Sequence, residues 1–178
     1  LVDGFLAKFD TLHNLSAATY IGNNGYNQSY FVQVDINNDV FVFGLTQSVM
    51  PVFPSGVYNN VGSQFIQKFN SDLSSILISS SFGTGSISKT ITPSAFLVSD
   101  CGLIYVCGWG GLNNIGTTSN LPLSLNAFQS STDGSDFYLV VFEENMQNLL
   151  YGSYFGGNQS DEHVDGGTSR FDKNGKVY

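Results

Sequence analysis

The chain has 178 residues, enough for one ordinary hydrophobic core, and it carries a formal net charge of −8 with only six Lys and Arg. Nucleic-acid binding and direct membrane insertion are therefore disfavoured, because a phosphate backbone needs a basic face and no apolar run reaches the roughly 18 residues that span a bilayer. Charged residues make up 11% of the chain, whereas Gly, Asn, Ser and aromatic residues are abundant. This composition suits pleated strands and tight turns, so we predict an all-β fold.

A first repeated element appears at the start of the chain. The segment Asp3-Gly-Phe-Leu-Ala-Lys-Phe-Asp10 recurs as Ser63-Gln-Phe-Ile-Gln-Lys-Phe-Asn70 and as Asp136-Phe-Tyr-Leu-Val-Val-Phe-Glu143. Each copy is followed by a short segment that ends at a glycine, in residues 18–22, 80–83 and 152–156. Val141 is a departure from the pattern, since the first two copies have Lys8 and Lys68 at that place.

A hairpin is the second repeated element. Residues 95–111 read as two extended runs with a turn at Asp100-Cys101-Gly102, and residues 31–44 and 168–178 are copies of it. The complete unit is predicted to hold strands over residues 31–35, 40–45, 64–70 and 76–82, with the next unit starting near residue 94. Four short strands with a period above about 40 residues indicate β-propeller blades. A sandwich of unrelated hairpins is the alternative, and it would not explain the repetition.

The predicted architecture is a β-propeller fragment built from four-stranded antiparallel blades. We divide residues 1–178 into a half blade (1–22), a blade (30–83), a second blade (94–156) and a final half blade (165–178). About three blades' worth of strands cannot close a ring, because propellers have at least about four blades. We therefore expect the chain to be cut from a longer one at both ends, with the rest of the parent chain or a partner completing the propeller.

Burial can be predicted from the strand pattern. Residues 40–43 are apolar on both faces, as expected for a strand in a sheet covered on both sides, whereas Ser79, Ser80 and Ser81 suggest an outer edge strand. We expect Phe5, Phe65 and Tyr138, which share one place in the third strand of successive units, to be buried between sheets.

The two cysteines cannot bond to each other. Cys101 and Cys107 lie six residues apart along a predicted strand, whereas a disulfide needs Cα atoms within about 7 Å. Each is either a buried thiol or paired with a cysteine outside this chain.

Several segments resemble one bacterial family. The pattern Asp-x-Phe-x-x-Lys-Phe, then Tyr-x-Gly, then Val-x-Val-x-Gly resembles the seven-bladed β-propeller repeat (SBBP) family of extracellular proteins, as do Phe53-Pro-Ser-Gly-Val-Tyr58 and the looser Leu121-Pro-Leu-Ser-Leu-Asn-Ala-Phe128. Residues 101–111 and 163–172 resemble segments of large Bacteroidetes surface proteins associated with gliding motility and type IX secretion. The resemblance implies an extracellular, outer-membrane-associated location, an adhesion or scaffold role, and a cell-surface protein or glycan as partner.

Carboxylates cluster in three places. Asp35 and Asp100, with Asp172 in the third copy, lie near the same hairpin turn and are predicted to accept local backbone N–H bonds. Asp161, Glu162, His163 and Asp165 form the densest polar cluster, which is either a solvated loop or a cation site; we assign Asp161, Glu162 and Asp165 as candidate Ca²⁺ ligands. The turn Asp133-Gly-Ser-Asp136 is either a plain turn or a calcium turn.

Loop lengths predict which end of the sheets carries a ligand. The long connections (22–29, 46–62, 83–93, 109–134 and 156–164) fall on one side of antiparallel blades, and the short turns fall on the other. The long-loop side holds the candidate ligand-binding residues Tyr26, Trp109 and His163. Trp109 either stacks on a sugar or wedges between blades. The alternative is that these loops only pack over the blades.

Two functions from different classes follow. No serine lies in a Gly-x-Ser-x-Gly elbow, and no catalytic residue is assigned. We favour a non-catalytic extracellular or cell-surface module, acting as a scaffold or adhesin. The alternative is a glycan-active hydrolase or lyase on a propeller, which would need two acids about 5 to 10 Å apart. The Asp residues instead recur at equivalent repeat positions, which favours a framework role.

Overall fold

The computed structural model describes residues 2–164 and 169–178. Within those residues the fold is all-β, as predicted, with antiparallel sheets of two, four and four strands and two short 3-10 helices. The strands are β1 (Gly4–Phe9), β2 (Leu15–Ile21), β3 (Asn27–Val34), β4 (Val40–Thr46), β5 (Gln64–Phe69), β6 (Ile76–Phe82), β7 (Thr92–Val98), β8 (Ile104–Trp109), β9 (Phe137–Phe142) and β10 (Leu149–Phe155). No helix in the described part of the chain is both long and apolar enough to cross a membrane.

Each sheet pairs strands that follow one another in the chain. The sheet orders are β1-β2, β3-β4-β5-β6 and β7-β8-β9-β10. The four strands predicted for the complete unit are confirmed, except that β3 begins at Asn27, four residues before the predicted start. As a result the connection from β2 to β3 is only residues 22–26, shorter than the predicted loop. At the other end, Phe171 pairs with Val177 in the third copy of the hairpin.

The middle sheet, β3 to β6, is covered on both faces. One face packs on β1 and β2 through a cluster that includes Ile21, Val42 and Phe65. The opposite face packs on the sheet β7 to β10 through a larger cluster, in which the rings of Phe43 and Phe96 lie 5.5 Å apart. Every residue of β4 is buried, as its doubly apolar pattern predicted. The three sheets therefore form successive layers in chain order.

The outer face of the last sheet is partly covered. The Tyr105 ring on β8 lies 5.7 Å from that of Phe171 in the terminal hairpin. Between Cys107 and Leu139 on the sheet and Tyr178 on the hairpin there is an apolar cavity of about 260 Å³. The C-terminal hairpin thus lies against this sheet.

The third-strand aromatic residues differ in burial. Phe65 and Tyr138 are fully buried, as predicted, whereas Phe5 is 71% exposed, so the prediction for Phe5 is wrong. The reason is directional, since Phe65 faces β1 and β2, and Tyr138 faces the middle sheet. Each ring therefore packs on the layer that precedes it in the chain. In the described part of the chain no layer precedes β1 and β2, and Phe5 lies opposite the exposed Tyr20.

The serines of β6 lie on an edge strand, as predicted, but they are buried. The loop between β4 and β5 folds back over that edge, where Phe53 and Ser79 exchange two backbone hydrogen bonds of 2.8 and 2.7 Å. The Ser79 hydroxyl donates to the Pro51 carbonyl at 2.6 Å, and the Ser80 hydroxyl donates to the carbonyl of Tyr58. Covering an edge in this way stops it from pairing with another chain.

The hairpin turns share one polar cap. Asp35 accepts hydrogen bonds from the backbone N–H of Asn37 and Asp39, both at 2.9 Å, and Asp172 does the same in the third copy. In the second copy the capping residue is Ser99, whose hydroxyl accepts from the Leu103 N–H at 3.0 Å. Asp100 is exposed one position further on, so its predicted place in the repeat shifts by one residue.

Lys68 links two strands of the middle sheet to that turn. Its ammonium lies 3.0 Å from Asp35 and 3.1 Å from Asp39, and 5.1 Å from the centre of the Phe41 ring. Burial alone would raise the pKa of Asp35, but hydrogen bonds from Lys68 and from the turn lower it below the usual 3.8. The last sheet, β7 to β10, lacks this contact because Val141 stands in place of the lysine.

Candidate functional site

The two longest loops are held against the outer strands. As the loop after β4 covers β6, the loop after β8 covers β10: Ser124 and Gly152 are joined by a 3.1 Å backbone bond, and the Tyr154 N–H donates to the Gln129 carbonyl at 3.1 Å. The parts of these loops around residues 51–58 and 124–129 therefore pack on the outer strands. The remaining candidate surface is where residues 109–116 and 156–164 meet at the end of the last sheet.

Trp109 and His163 come together at this end. Trp109 is half-buried at the last position of β8, His163 is exposed, and their ring centres lie 5.7 Å apart at 56°. Asn114 holds the adjoining loop, because its amide donates to the Trp109 carbonyl at 2.7 Å and to the Thr92 hydroxyl at 2.9 Å. The structure therefore brings two of the three predicted ligand-binding residues into one place.

Tyr26 lies elsewhere. Its hydroxyl donates to the Gln28 side chain at 2.7 Å, and it lines a separate cavity of about 180 Å³ with Tyr30 and Lys89. Burial raises the pKa of Tyr30 and lowers that of Lys89 in this cavity. No contact joins Tyr26 to Trp109 or His163 within the described residues, so the three do not form one site there.

The predicted metal ligands lie in the loop that follows β10. Asp161 is exposed, and Asp165 lies outside the described residues. Glu162 is half-buried, and its Oε1 accepts from the Gly157 N–H at 3.0 Å and from the Ser160 hydroxyl at 2.6 Å. Across residues 2–164 and 169–178 no three His, Cys, Asp or Glu side chains are grouped so that they could hold a metal ion.

Asp136 faces Glu162. It lies just before β9, and its side chain is fully buried. Asp136 Oδ1 and Glu162 Oε2 are both buried and have no hydrogen-bond partner among the described residues. Burial and the nearby charges of Asp133 and Glu162 raise the pKa of Asp136, against a hydrogen bond with Thr132. Two carboxylates thus share one enclosed corner of the loops.

The neighbouring Asp133 has a different role. Its carboxylate accepts from the Ser135 N–H at 3.0 Å and from the Gln159 N–H at 2.6 Å. These hydrogen bonds, with that of Ser135 the strongest, lower the pKa of Asp133. Asp133 therefore caps a turn, as the plain-turn interpretation proposed, whereas Asp136 in the same turn points inward.

Sequence reasoning did not pair Asp136 with Glu162. The two residues lie far apart in the chain, and local motifs relate each of them only to its sequence neighbours. The repeat does contain a signal. Asp136 precedes β9 and Gly156 follows β10, so the pairing of these two strands places Asp136 beside the loop that begins at Gly156 and contains Glu162.

Two comparisons with known proteins were negative. No protein-family model matches this chain, and no curated protein matches it. The resemblance to propeller repeats of bacterial surface proteins therefore stays a prediction drawn from the motifs.

Proposed function

We propose that this chain is a run of β-propeller blades in an extracellular or cell-surface bacterial protein, of the kind linked to gliding motility and type IX secretion, and that it acts as a non-catalytic scaffold or adhesin. The observation that carries the proposal is the layered middle sheet. It has four antiparallel strands in chain order, both faces are covered by neighbouring layers, and a loop covers its outer edge. A two-layer sandwich has no such doubly covered sheet.

The distribution of charge supports a framework rather than a catalyst. Asp35 and Asp172 hold backbone N–H groups in equivalent turns, and Asp133 caps a loop. A glycan-active enzyme is the alternative, and its acid pair must touch the sugar. Asp136 and Glu162 are close enough to be considered, but Asp136 is fully buried and has no access to a substrate.

The ligand surface of the module is the Trp109 and His163 pair. An indole beside an imidazole at a loop-rich end offers a flat apolar face with a polar edge, which suits a sugar ring or a peptide side chain. Exposed apolar residues continue the surface on the adjoining loop, where Leu112 is 84% exposed and Ile115 is 90% exposed.

Two measurements test this function. The protein is screened for binding on a glycan array and on intact cells, and the same glycans are assayed for release of reducing ends. We expect binding without turnover, and we expect Trp109→Ala to lose most of the binding. Phe128→Ala is the matched control, because Phe128 is exposed on the same long loop but pairs with Phe155 instead.

The contradicting results are distinct. Sustained turnover that a single Asp or Glu substitution abolishes would establish the enzyme. Equal loss of binding in Trp109→Ala and Phe128→Ala would place the ligand surface elsewhere. A third result concerns location. If intact cells shield the protein both from added protease and from labelling by antibody, the surface location is contradicted.

A further inference from the structure

The same place in the three repeat copies holds three different side-chain pairs. Asp3, Ser63 and Asp136 each precede the third strand of the unit, and Gly22, Gly83 and Gly156 each follow the fourth. A second side chain approaches this place from the chain beyond the glycine. It is Asn27 in the first copy, Thr90 in the second and Glu162 in the third.

In the first two copies the pair is satisfied by hydrogen bonding. The Asn27 amide donates to Asp3 Oδ1 at 3.4 Å, so a carboxylate faces a donor. The hydroxyls of Ser63 and Thr90 lie 3.2 Å apart, and either can donate. Neither copy has two negative charges at this place.

In the third copy a carboxylate faces a carboxylate. A Cβ added to Gly156 would collide with Asp136 Oδ1 and would meet Glu162 Oε2 at 2.6 Å, so both oxygens lie at the glycine's open side. In the first copy the same test at Gly22 finds Asp3 Oδ1 and the Asn27 amide nitrogen, the latter at 2.8 Å. The two copies thus place a pair of side chains beside the glycine in the same way, but where the first copy has the amide donor of Asn27, the third has the carboxylate acceptor of Glu162.

The protein holds the outer oxygen of each carboxylate and leaves the inner one free. Asp136 Oδ2 accepts from the Gln129 amide at 3.3 Å, and Glu162 Oε1 accepts from the Gly157 N–H and the Ser160 hydroxyl. The inner oxygens, Asp136 Oδ1 and Glu162 Oε2, have no partner among residues 2–164 and 169–178. Each carboxylate is thus fixed in orientation before anything binds between them.

We propose that Asp136 and Glu162 bind a calcium ion between their inner oxygens. Buried ionised carboxylates need a compensating positive charge, and no Lys or Arg in the described chain forms an ion pair with either. Ca²⁺ takes six to eight oxygen ligands in flexible geometry and completes its shell with carbonyls, hydroxyls and water, so two carboxylates are enough charge to neutralise it. The site retains Glu162 from the sequence-based ligand set and adds Asp136.

Calcium at this place would tie the loop 156–164 to the start of β9. Glu162 already reaches the turn through its backbone N–H, which donates to the Ser135 carbonyl at 2.9 Å. Since His163 is the next residue, the ion would also fix the ring that contacts Trp109. The proposed ligand surface would therefore be ordered by the cation, although the cation site itself does not depend on that surface binding anything.

The test measures thermal stability and bound calcium in protein stripped with EDTA. We expect one Ca²⁺ per chain by isothermal titration calorimetry, and a rise in Tm on the order of 5 °C at a hundredfold excess over Kd. Glu162→Gln should abolish both effects. It should also raise the Tm of the EDTA-treated protein above that of the wild type, because the new amide donates to Asp136 as Asn27 donates to Asp3.

Glu144→Gln is the matched control. Glu144 is an exposed glutamate in the short turn at the other end of the same sheet, so its substitution should leave the calcium response unchanged. Failure of the wild type to respond to Ca²⁺ would overturn the proposal, as would an equal response in Glu162→Gln. These readouts require no glycan or partner, so they are independent of the proposed binding function.

Discussion

The sheet β3 to β6 and the sheet β7 to β10 have the same strand order and the same short turns, but they differ in where charge is kept. In the middle sheet the charge lies at the hairpin turn, where Lys68 joins Asp35 and Asp39. In the last sheet the strand register places Val141 opposite Tyr105, as Lys68 is placed opposite Phe41. In the last sheet the buried acid, Asp136, lies at the opposite end, where it faces Glu162.

The ion-pair residues change together between the two sheets. Where the lysine becomes Val141, the two acids become Ser99 and Leu103. Ser99 keeps the capping bond of Asp35 without its charge. A buried acid without its base would be costly, so loss of one member makes loss of the others favourable. The comparison therefore teaches that the fold requires the turn cap, and that the buried charges are an optional set.

The largest expected effect concerns the third-strand aromatic residues. Phe65→Ala should lower the free energy of unfolding by roughly 3 to 5 kcal/mol, because it leaves a cavity between two layers. Phe5→Ala, at the same place in the repeat but 71% exposed, should cost less than about 1 kcal/mol. Urea unfolding measures both. Equal losses would mean that burial at this place does not depend on a preceding layer.

The sequence predicts those features of the structure that depend on residues close together in the chain, and it misses those that depend on distant residues. Strands and their order follow from local repetition, and the burial of Phe65 and Tyr138 follows from their apolar pattern. The burial of Ser79 and Ser80 does not, because it depends on a loop that returns from residues 51–58 to cover the edge. The exposure of Phe5 depends on the order of layers, which no local pattern contains.

The candidate site was predictable in part. Loop position predicts Trp109 and His163 as ligand-binding residues, and the structure brings their rings together. Charge density predicts Glu162 as a ligand. Its neighbour Asp136 is assigned to a plain turn, because turn chemistry accounts equally well for Asp133 and for Asp136. Only the fold shows that one of these acids caps a turn and the other points inward.

The second prediction separates the charge set from the fold. Lys68→Val should cost roughly 3 kcal/mol, because it leaves Asp35 and Asp39 without their base. Adding Asp35→Ser and Asp39→Leu, which copies the last sheet, should recover much of that loss. Denaturant unfolding of the single and triple variants tests this. A triple variant less stable than Lys68→Val would show that the charges are not a replaceable set.

The third prediction concerns acid stability. Because the pKa of Asp35 is lowered in the folded state, its contribution is fully present above 3.8 and is lost as the pH falls through the folded pKa. Lys68 and Asp39 are the charged groups that face it. The unfolding free energy should therefore fall less steeply below pH 4 in Asp35→Asn than in the wild type. In the Lys68→Val background the same substitution should change the slope less, and an equal change would contradict the pairing.

The smallest expected effect is a difference in thiol labelling between Cys101, in a turn of the last sheet, and Cys107, in its strand β8. Cys101 is exposed in the turn, whereas burial raises the pKa of Cys107 within β8, and neither forms a disulfide in the described chain. A thiol reagent should label Cys101 quickly and Cys107 only on unfolding. Mass spectrometry of labelled peptides measures the two rates. Rapid labelling of both would mean that the terminal hairpin does not cover the last sheet.

The central claim is that repeated units stack as successive layers, with the middle sheet enclosed on both faces. Nuclear Overhauser contacts in protein labelled at Phe, Leu, Ala and Ile side chains test it most directly. We predict contacts between the Phe43 and Phe96 rings on one face, and between Phe65 and the side chains of β1 and β2, namely Leu6, Ala17 and Ile21, on the other. Contacts on one face alone would contradict the layered arrangement, because the middle sheet would then belong to a two-layer fold.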